Sequence, residues 1–165
     1  MTINYYSAPV NIRQTAATAA NATVWSMRNA VGSPVVIFIE RIYLMMAFDS
    51  GTPITRSTQT YDLIRFSTAT PTGGTAVTVT QMWSGDGSTN ITDARFLDTG
   101  LTTTGAVFNA PFAIVGCPAT DATTTVFQRE GIPICLGPGE GLCIRLHSAA
   151  VIGQSLIGEV VWSER

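Results

Sequence analysis

Hydrophobic positions recur at every second residue, most plainly in the last third of the chain. Ile132, Ile134 and Leu136 alternate with Pro133 and Cys135. The block Gly137-Pro-Gly-Glu-Gly141 interrupts the pattern. Proline presets its backbone and glycine accepts the positive φ that a chain reversal needs. Alternation then resumes, with Leu142, Ile144 and Leu146 on one side and Cys143, Arg145 and His147 on the other. A final run puts Leu156, Val160 and Trp162 on one face and Ile157, Glu159 and Val161 on the other. A period of two through three segments predicts strand, tight turn, strand, loop, strand, in an antiparallel sheet with one buried face.

Upstream, residues 22–31 read as the first core strand, opening on Val24 and Trp25 and closing in a turn at 29–34. Residues 35–48 exceed the usual strand length, so a bend or bulge is expected at Glu40-Arg41. Strands are also predicted over 59–67, 76–83 and 91–97, with short apolar pieces at 106–108 and 112–115 and residues 125–130 leading into the C-terminal segments. Turn formers separate them throughout. The total is eight or nine strands, with no helix and no repeat. This spacing fits an all-β antiparallel β-sandwich, with a jelly roll as first choice and other sandwiches second.

Residues 1–21 read differently. Tyr5, Tyr6 and Pro9 precede a run of Thr, Ala and Asn. The interleaved threonines and the lack of an apolar stripe argue against a helix. An extended N-terminal arm is expected there, lying on a neighbouring subunit with Tyr5 and Tyr6 as anchors, followed by a sandwich domain over 22–165.

Composition sharpens this picture. Only 12% of residues are charged, about half the usual fraction of roughly 25%. The nine cations are all arginine, and 24 residues are threonine. Either the surface is coated with hydroxyls, or much of it is covered by other subunits. The second reading is favoured, because interface cores are poor in charge and a net charge of −2 is small for a freely soluble protein. No basic run supports nucleic-acid binding. The N-terminus lacks the pattern of a secretory signal, and the apolar run at 35–48 is interrupted and too short for a membrane helix. The sequons at Asn21 and Asn90 matter only in a secretory setting. Cys117, Cys135 and Cys143 read as small buried hydrophobes, although Cys135 and Cys143 flank a turn and could face each other.

Candidate chemistry is sparse. His147 is the single histidine, with no nucleophile in a recognisable motif, so no catalytic residue and no enzyme activity is expected. Cofactors are likewise not expected, and no cysteine or histidine spacing suggests zinc. Asp86, Asn90 and Asp93 space oxygen ligands as a calcium loop does, but the position of its closing glutamate is Leu97. A loop whose Asp and Asn bond their own backbone is preferred, and no metal is assigned. Trp83 beside these residues also fits a sugar site, where a ring stacks on the C–H face of a saccharide. Packing at a strand end is the plainer role. Arg65, Arg95, Arg129 and Arg145 read as partners for carboxylates, and Arg145 with Glu159 is the pair expected across adjacent strands.

Several phrases carry a resemblance. They are Asn29-Ala-Val-Gly-Ser-Pro-Val-Val-Ile-Phe-Ile-Glu-Arg-Ile-Tyr-Leu44, Arg65-Phe-Ser-Thr-Ala-Thr-Pro-Thr-Gly-Gly-Thr75, Asp93-Ala-Arg95, Gly100-Leu-Thr-Thr-Thr-Gly105, Pro138-Gly-Glu-Gly-Leu142 and Val160-Val-Trp-Ser-Glu164. Over roughly residues 22–164 the chain resembles small β-rich virion proteins of tailed bacteriophages, of the capsid decoration (cement) or head-fibre type. The resemblance implies a non-enzymatic structural protein on the capsid surface, assembled in the host cytoplasm. It would be a homotrimer, with itself and the major capsid protein as partners and no membrane or nucleic acid. The alternative is a carbohydrate- or receptor-binding module of a virion fibre or tail, with Trp83, Asp86, Asn90 and Asp93 as its ligand loop.

Overall fold

The C-terminal alternation forms an 11-residue strand in the computed structural model, which describes residues 3–13, 18–48, 59–82, 89–96, 101–117, 124–129, 131–149 and 153–165. The strands are β1 (Asn4–Arg13), β2 (Thr23–Asn29), β3 (Ile37–Phe48), β4 (Gln59–Ser67), β5 (Thr75–Ala76), β6 (Thr80–Gln81), β7 (Ile91–Phe96), β8 (Val107–Phe108), β9 (Ala113–Cys117), β10 (Thr124–Arg129), β11 (Ile134–Leu136), β12 (Gly141–Leu146) and β13 (Gln154–Glu164). They make two antiparallel sheets packed face to face, with no helix among the described residues. The first sheet runs β10-β3-β13-β1-β6, with β11 also on β3. The second runs β5-β7-β2-β12-β4-β8, with β9 also on β4.

β13 lies between β1 and β3 and pairs with both along its length. Side chains therefore meet in inward rows. Tyr6, Trp162 and Ile39 form one, Ala8, Val160 and Ile42 the next, and Ile12, Leu156 and Met46 the last. All are buried. Against them pack Trp25 and Met27 of β2, Leu142, Ile144 and Leu146 of β12, and Tyr61 and Leu63 of β4. The Trp25 indole donates to the Pro9 carbonyl at 3.1 Å, so one hydrogen bond spans the two sheets. In the row between, Gly158 faces Val10 and Leu44. A Cβ there would lie 1.9 Å from the Tyr43 carbonyl oxygen. The expected irregularity at Glu40-Arg41 is present. The register of β13 on β3 shifts between Val161 and Trp162, leaving Glu40 as the extra residue. The shift moves the buried set from Ile37 and Ile39 to Ile42, Leu44 and Met46, which keeps the apolar side chains inward.

Three expectations are corrected. The N-terminal arm over 1–21 is instead a sheet strand from Asn4. Tyr6, Ala8, Val10 and Ile12 alternate inward, and backbone pairing with β13 gives them a core to enter. The sandwich therefore begins at residue 4 and not at 22. Residues 76–83 are not one strand. β5 pairs with β7 in the second sheet and β6 with β1 in the first, so the chain crosses the sandwich edge, with Val77 and Val79 packed on the core. Finally, β11 and β12 are not a hairpin. β11 joins β3 while β12 sits between β2 and β4, so residues 137–141 turn a corner between sheets. At that corner Gly139 has φ +78°, and its N–H lies 3.2 Å from the Asn29 and Ala30 carbonyls. Glu140 accepts from the Gly137 N–H and from Arg65, both at 2.7 Å. Cys135 is consequently exposed on one sheet and Cys143 buried on the other, both as free thiols.

The Gly158 contact yields a test. A methyl group at this position meets backbone, which cannot rotate away. Gly158→Ala should cost about 3 kcal/mol, the upper end of the range for overpacked cores. Urea unfolding measures it, and a loss below about 1 kcal/mol would mean that β3 and β13 separate there without strain.

Candidate functional site

The two sheets differ on their outer faces. In the second sheet, β4 turns Ile64 and Phe66 away from the core, and they form a separate buried cluster with Cys143, joined by Ala106 and Phe108. Residues 68–74 and 101–106 cross this face and are joined to each other by a bridge between Thr72 and Thr102. The central strands are thereby covered on both sides, which is why every residue of β2 is buried.

Asp62 lies on this covered face. Its cross-strand neighbour is Arg145 of β12, whose own neighbour on the other side is Thr23 of β2. Arg145 donates to Asp62 Oδ2 at 3.3 Å, and His147 Nδ1 lies 2.9 Å from Oδ1. The Asp62 side chain is 3% exposed, against 20% for Arg145 and 53% for His147. A buried carboxylate thus sits between a largely covered cation and a half-exposed ring. Phe108 completes the cover, with the Arg145 guanidinium 5.1 Å from its ring centre and the Phe66 ring 6.3 Å away. Burial costs Asp62 its hydration, and the two donors offset that cost. A carboxylate that orients an imidazole also occurs in general-base catalysis. Here the neighbouring hydroxyl, Ser148, is engaged elsewhere, with Gln59 Nε2 at 3.2 Å and Thr60 Oγ1 at 3.1 Å. Burial pushes the adjacent Cys143 thiol up to about 12; Arg145 opposes the shift and Asp62 adds to it. The thiol stays protonated at neutral pH and is not a nucleophile.

Beside this cluster is a cavity of about 350 Å³, lined by residues 21–23, 101–106 and Phe108. Thr23 and Thr103 hydroxyls bond each other at 3.0 Å, as do those of Thr102 and Thr104 at 2.7 Å. A second buried carboxylate, Glu164, closes the inner face of β13. It accepts from the Asn90 backbone N–H at 2.9 Å, the Asn90 amide at 2.9 Å, the Trp162 indole at 3.4 Å and the Thr89 hydroxyl. It clasps the start of β7 to the end of β13. The Tyr6 phenol nearby is raised above its ordinary value, first by burial and then by the Glu164 charge.

The expected site residues separate in space. Tyr6 is buried and stacks on Trp162 at 5.8 Å, so it cannot anchor a neighbour. Tyr5 points outward from the first sheet and is 36% exposed. Arg145 pairs with Asp62, and Glu159 pairs with Arg41, because β12 and β13 belong to different sheets. Asn90 is committed to Glu164. Trp83, Asp86 and the Asp93 side chain lie outside the described residues. Asp62 and the threonines of the cavity were not anticipated. The one available signal was a lone acid in the apolar run Tyr61-Asp-Leu-Ile64. Among the described residues, no three His, Cys, Asp or Glu side chains converge as metal ligands. Comparison with protein-family models, with curated proteins and with solved structures returns no match.

Two outcomes follow. Asp62→Ala strands Arg145 on a covered face and should cost about 3 kcal/mol, while Glu159→Ala, from an exposed pair, should cost ~0–1 kcal/mol. Urea midpoints of the two variants decide it, and equal losses would show that Asp62 is effectively solvated. For Cys143, the folded state holds the thiol proton more tightly than the unfolded chain, whose ordinary value is 9.0. Its contribution is complete below pH 9 and is lost as pH rises from about 9 to about 12. Cys143→Ala should flatten that part of the stability profile. At pH 8, peptide mapping after thiol labelling should find Cys135 modified and Cys143 intact.

Proposed function

We propose that this protein is a non-enzymatic virion structural protein, a capsid decoration protein that self-associates through the outer face of its first sheet. The observation that carries this reading is the contrast between the two outer faces. The second sheet is covered by its own chain, whereas the first has no described segment over it. On that open face β1, β13 and β3 present Tyr5, Phe38, Tyr43, Met45 and Ile157, all partly exposed. Its charges are largely matched. Arg41 pairs with Glu159, and Glu40 accepts from Arg165 at 2.9 Å while Arg165 lies over Phe38. Aromatic and methionine side chains with paired arginines are the composition of an interface core.

The dimensions agree. Eleven residues of strand span about 36 Å and four strands about 19 Å, giving roughly 700 Å² per subunit. A standard interface buries about 800 Å² per partner. A homotrimer is the assembly proposed, with the loops at the ends of the sandwich left to meet the major capsid protein. Binding the assembled shell and not its separated parts raises the free energy of disassembly by mass action. Strand order supports the finer assignment to a jelly roll. Within the sheets, β1-β13-β3-β10 and β2-β12-β4-β9 interleave as the chain passes repeatedly between layers, which is the pattern of two nested Greek keys.

Light scattering behind size exclusion tests the proposal. The protein should run near three times its chain mass of 17.5 kDa. Met45→Glu, a charge in the centre of the open face, should give a folded monomer that no longer binds capsids lacking the protein. A native monomer that also fails to bind such capsids would overturn the reading.

A further inference from the structure

We propose that the cavity beside Phe108 is a binding site for the terminal ring of an uncharged saccharide. The inference is independent of the assembly role above and rests on a different face of the molecule. The volume, about 350 Å³, lies at the small end of ligand sites, about 300–1,000 Å³. Its described lining residues include no Asp, Glu, Arg or His. The Arg145 guanidinium that lies over the Phe108 ring belongs to β12 and is matched by Asp62 at 3.3 Å. An anion would find no cation among the described lining residues. An apolar ligand would strip water from hydroxyls and offer nothing in return.

The hydroxyls define what does fit. Thr23, Thr102, Thr103 and Thr104 all line the cavity. Each hydroxyl donates one hydrogen bond and accepts two, so a hydroxyl paired with its neighbour keeps capacity for a ligand. Sugar hydroxyls have the same dual character. The pairs Thr23–Thr103 and Thr102–Thr104 hold these groups in place before any ligand arrives, which lowers the ordering cost of binding. Phe108 supplies the apolar wall. Its ring is fixed by Phe66 and by the Arg145 guanidinium, and a fixed ring suits the C–H face of a pyranose. Asn21 adds an amide at the rim. Thr102, Thr104 and Gly105 are exposed, so the mouth is open and the rest of a glycan can continue outward.

The test is a titration of nitrogen-15-labelled protein with the methyl glycosides of glucose, galactose and N-acetylglucosamine, followed by amide shifts. At least one should shift the amides of Thr23 and residues 101–106 in a saturable way. Thr104→Val changes an exposed hydroxyl to a methyl and keeps the shape, and Phe108→Leu keeps an apolar residue on β8. Each should weaken binding about tenfold, the effect of losing one hydrogen bond or one ring contact. Val107→Thr, at a side chain 60% exposed and outside the cavity lining, should leave affinity unchanged. No saturable shift from any of the three glycosides would overturn the proposal. So would full affinity in both cavity variants, or tighter binding of methyl glucuronide than of methyl glucoside.

Discussion

The pairing of β13 with both β1 and β3 is the constraint on which the remaining structure depends. Its backbone is satisfied on both edges, and its inward side chains fill the middle of the first sheet. Trp162 lies between Tyr6 and Ile39, and Val160 between Ala8 and Ile42. The tolerances are narrow both in the middle of this strand and at its end. Gly158 lets β3 approach where any side chain would collide. Glu164 ends the apolar row with a carboxylate that needs donors, and residues 89–90 provide them. The position of β7, and so of the second sheet's edge, follows from a group at the end of the last strand.

The covered face and the open face use charge in different ways. Where the chain folds over the second sheet, Asp62 is desolvated and must be matched by Arg145 and His147. Where the first sheet is open, Arg41 and Glu159 stay about 40% exposed, and water screens them. The scarcity of charge in the sequence therefore has two sources. One is a sandwich with both faces of its second sheet buried. The other is an outer surface on the first sheet whose few ions already have partners.

Period-two alternation made the antiparallel sandwich legible, together with the inner faces of β12 and β13 and the bulge at Glu40. These are local properties, since a strand's inward set is written in its own residues. What was not legible depends on which strands meet. Tyr6, Ala8, Val10 and Ile12 alternate as well as any strand, but Ala8 is small and the Ala- and Thr-rich run that follows obscured them. The turn chemistry at 137–141 serves a hairpin and a corner between sheets equally well, because glycine reports the reversal and not its destination. Arg145 was matched with Glu159 by nearness in sequence. Its partner Asp62 lies on a strand distant in the chain, and only sheet order brings the two together. The cavity at 101–106 arises from a loop crossing a sheet, for which threonine content alone gives no sign.

The position of β1 has a consequence for how the chain reaches this state. Asn4 pairs with Glu164, and the whole of β1 docks against the last strand in sequence. During synthesis β1 emerges well before β13, and it can take its full pairing only once β13 has been made. The layer of Tyr6 and Trp162 therefore forms only by closing the long loop between β1 and β13. Such closure is slow, because the entropy of bringing distant segments together is spent before their contacts form. Until then the apolar side of β1 faces solvent, so the interval between synthesis and closure is when the chain is most open to misassembly with another copy.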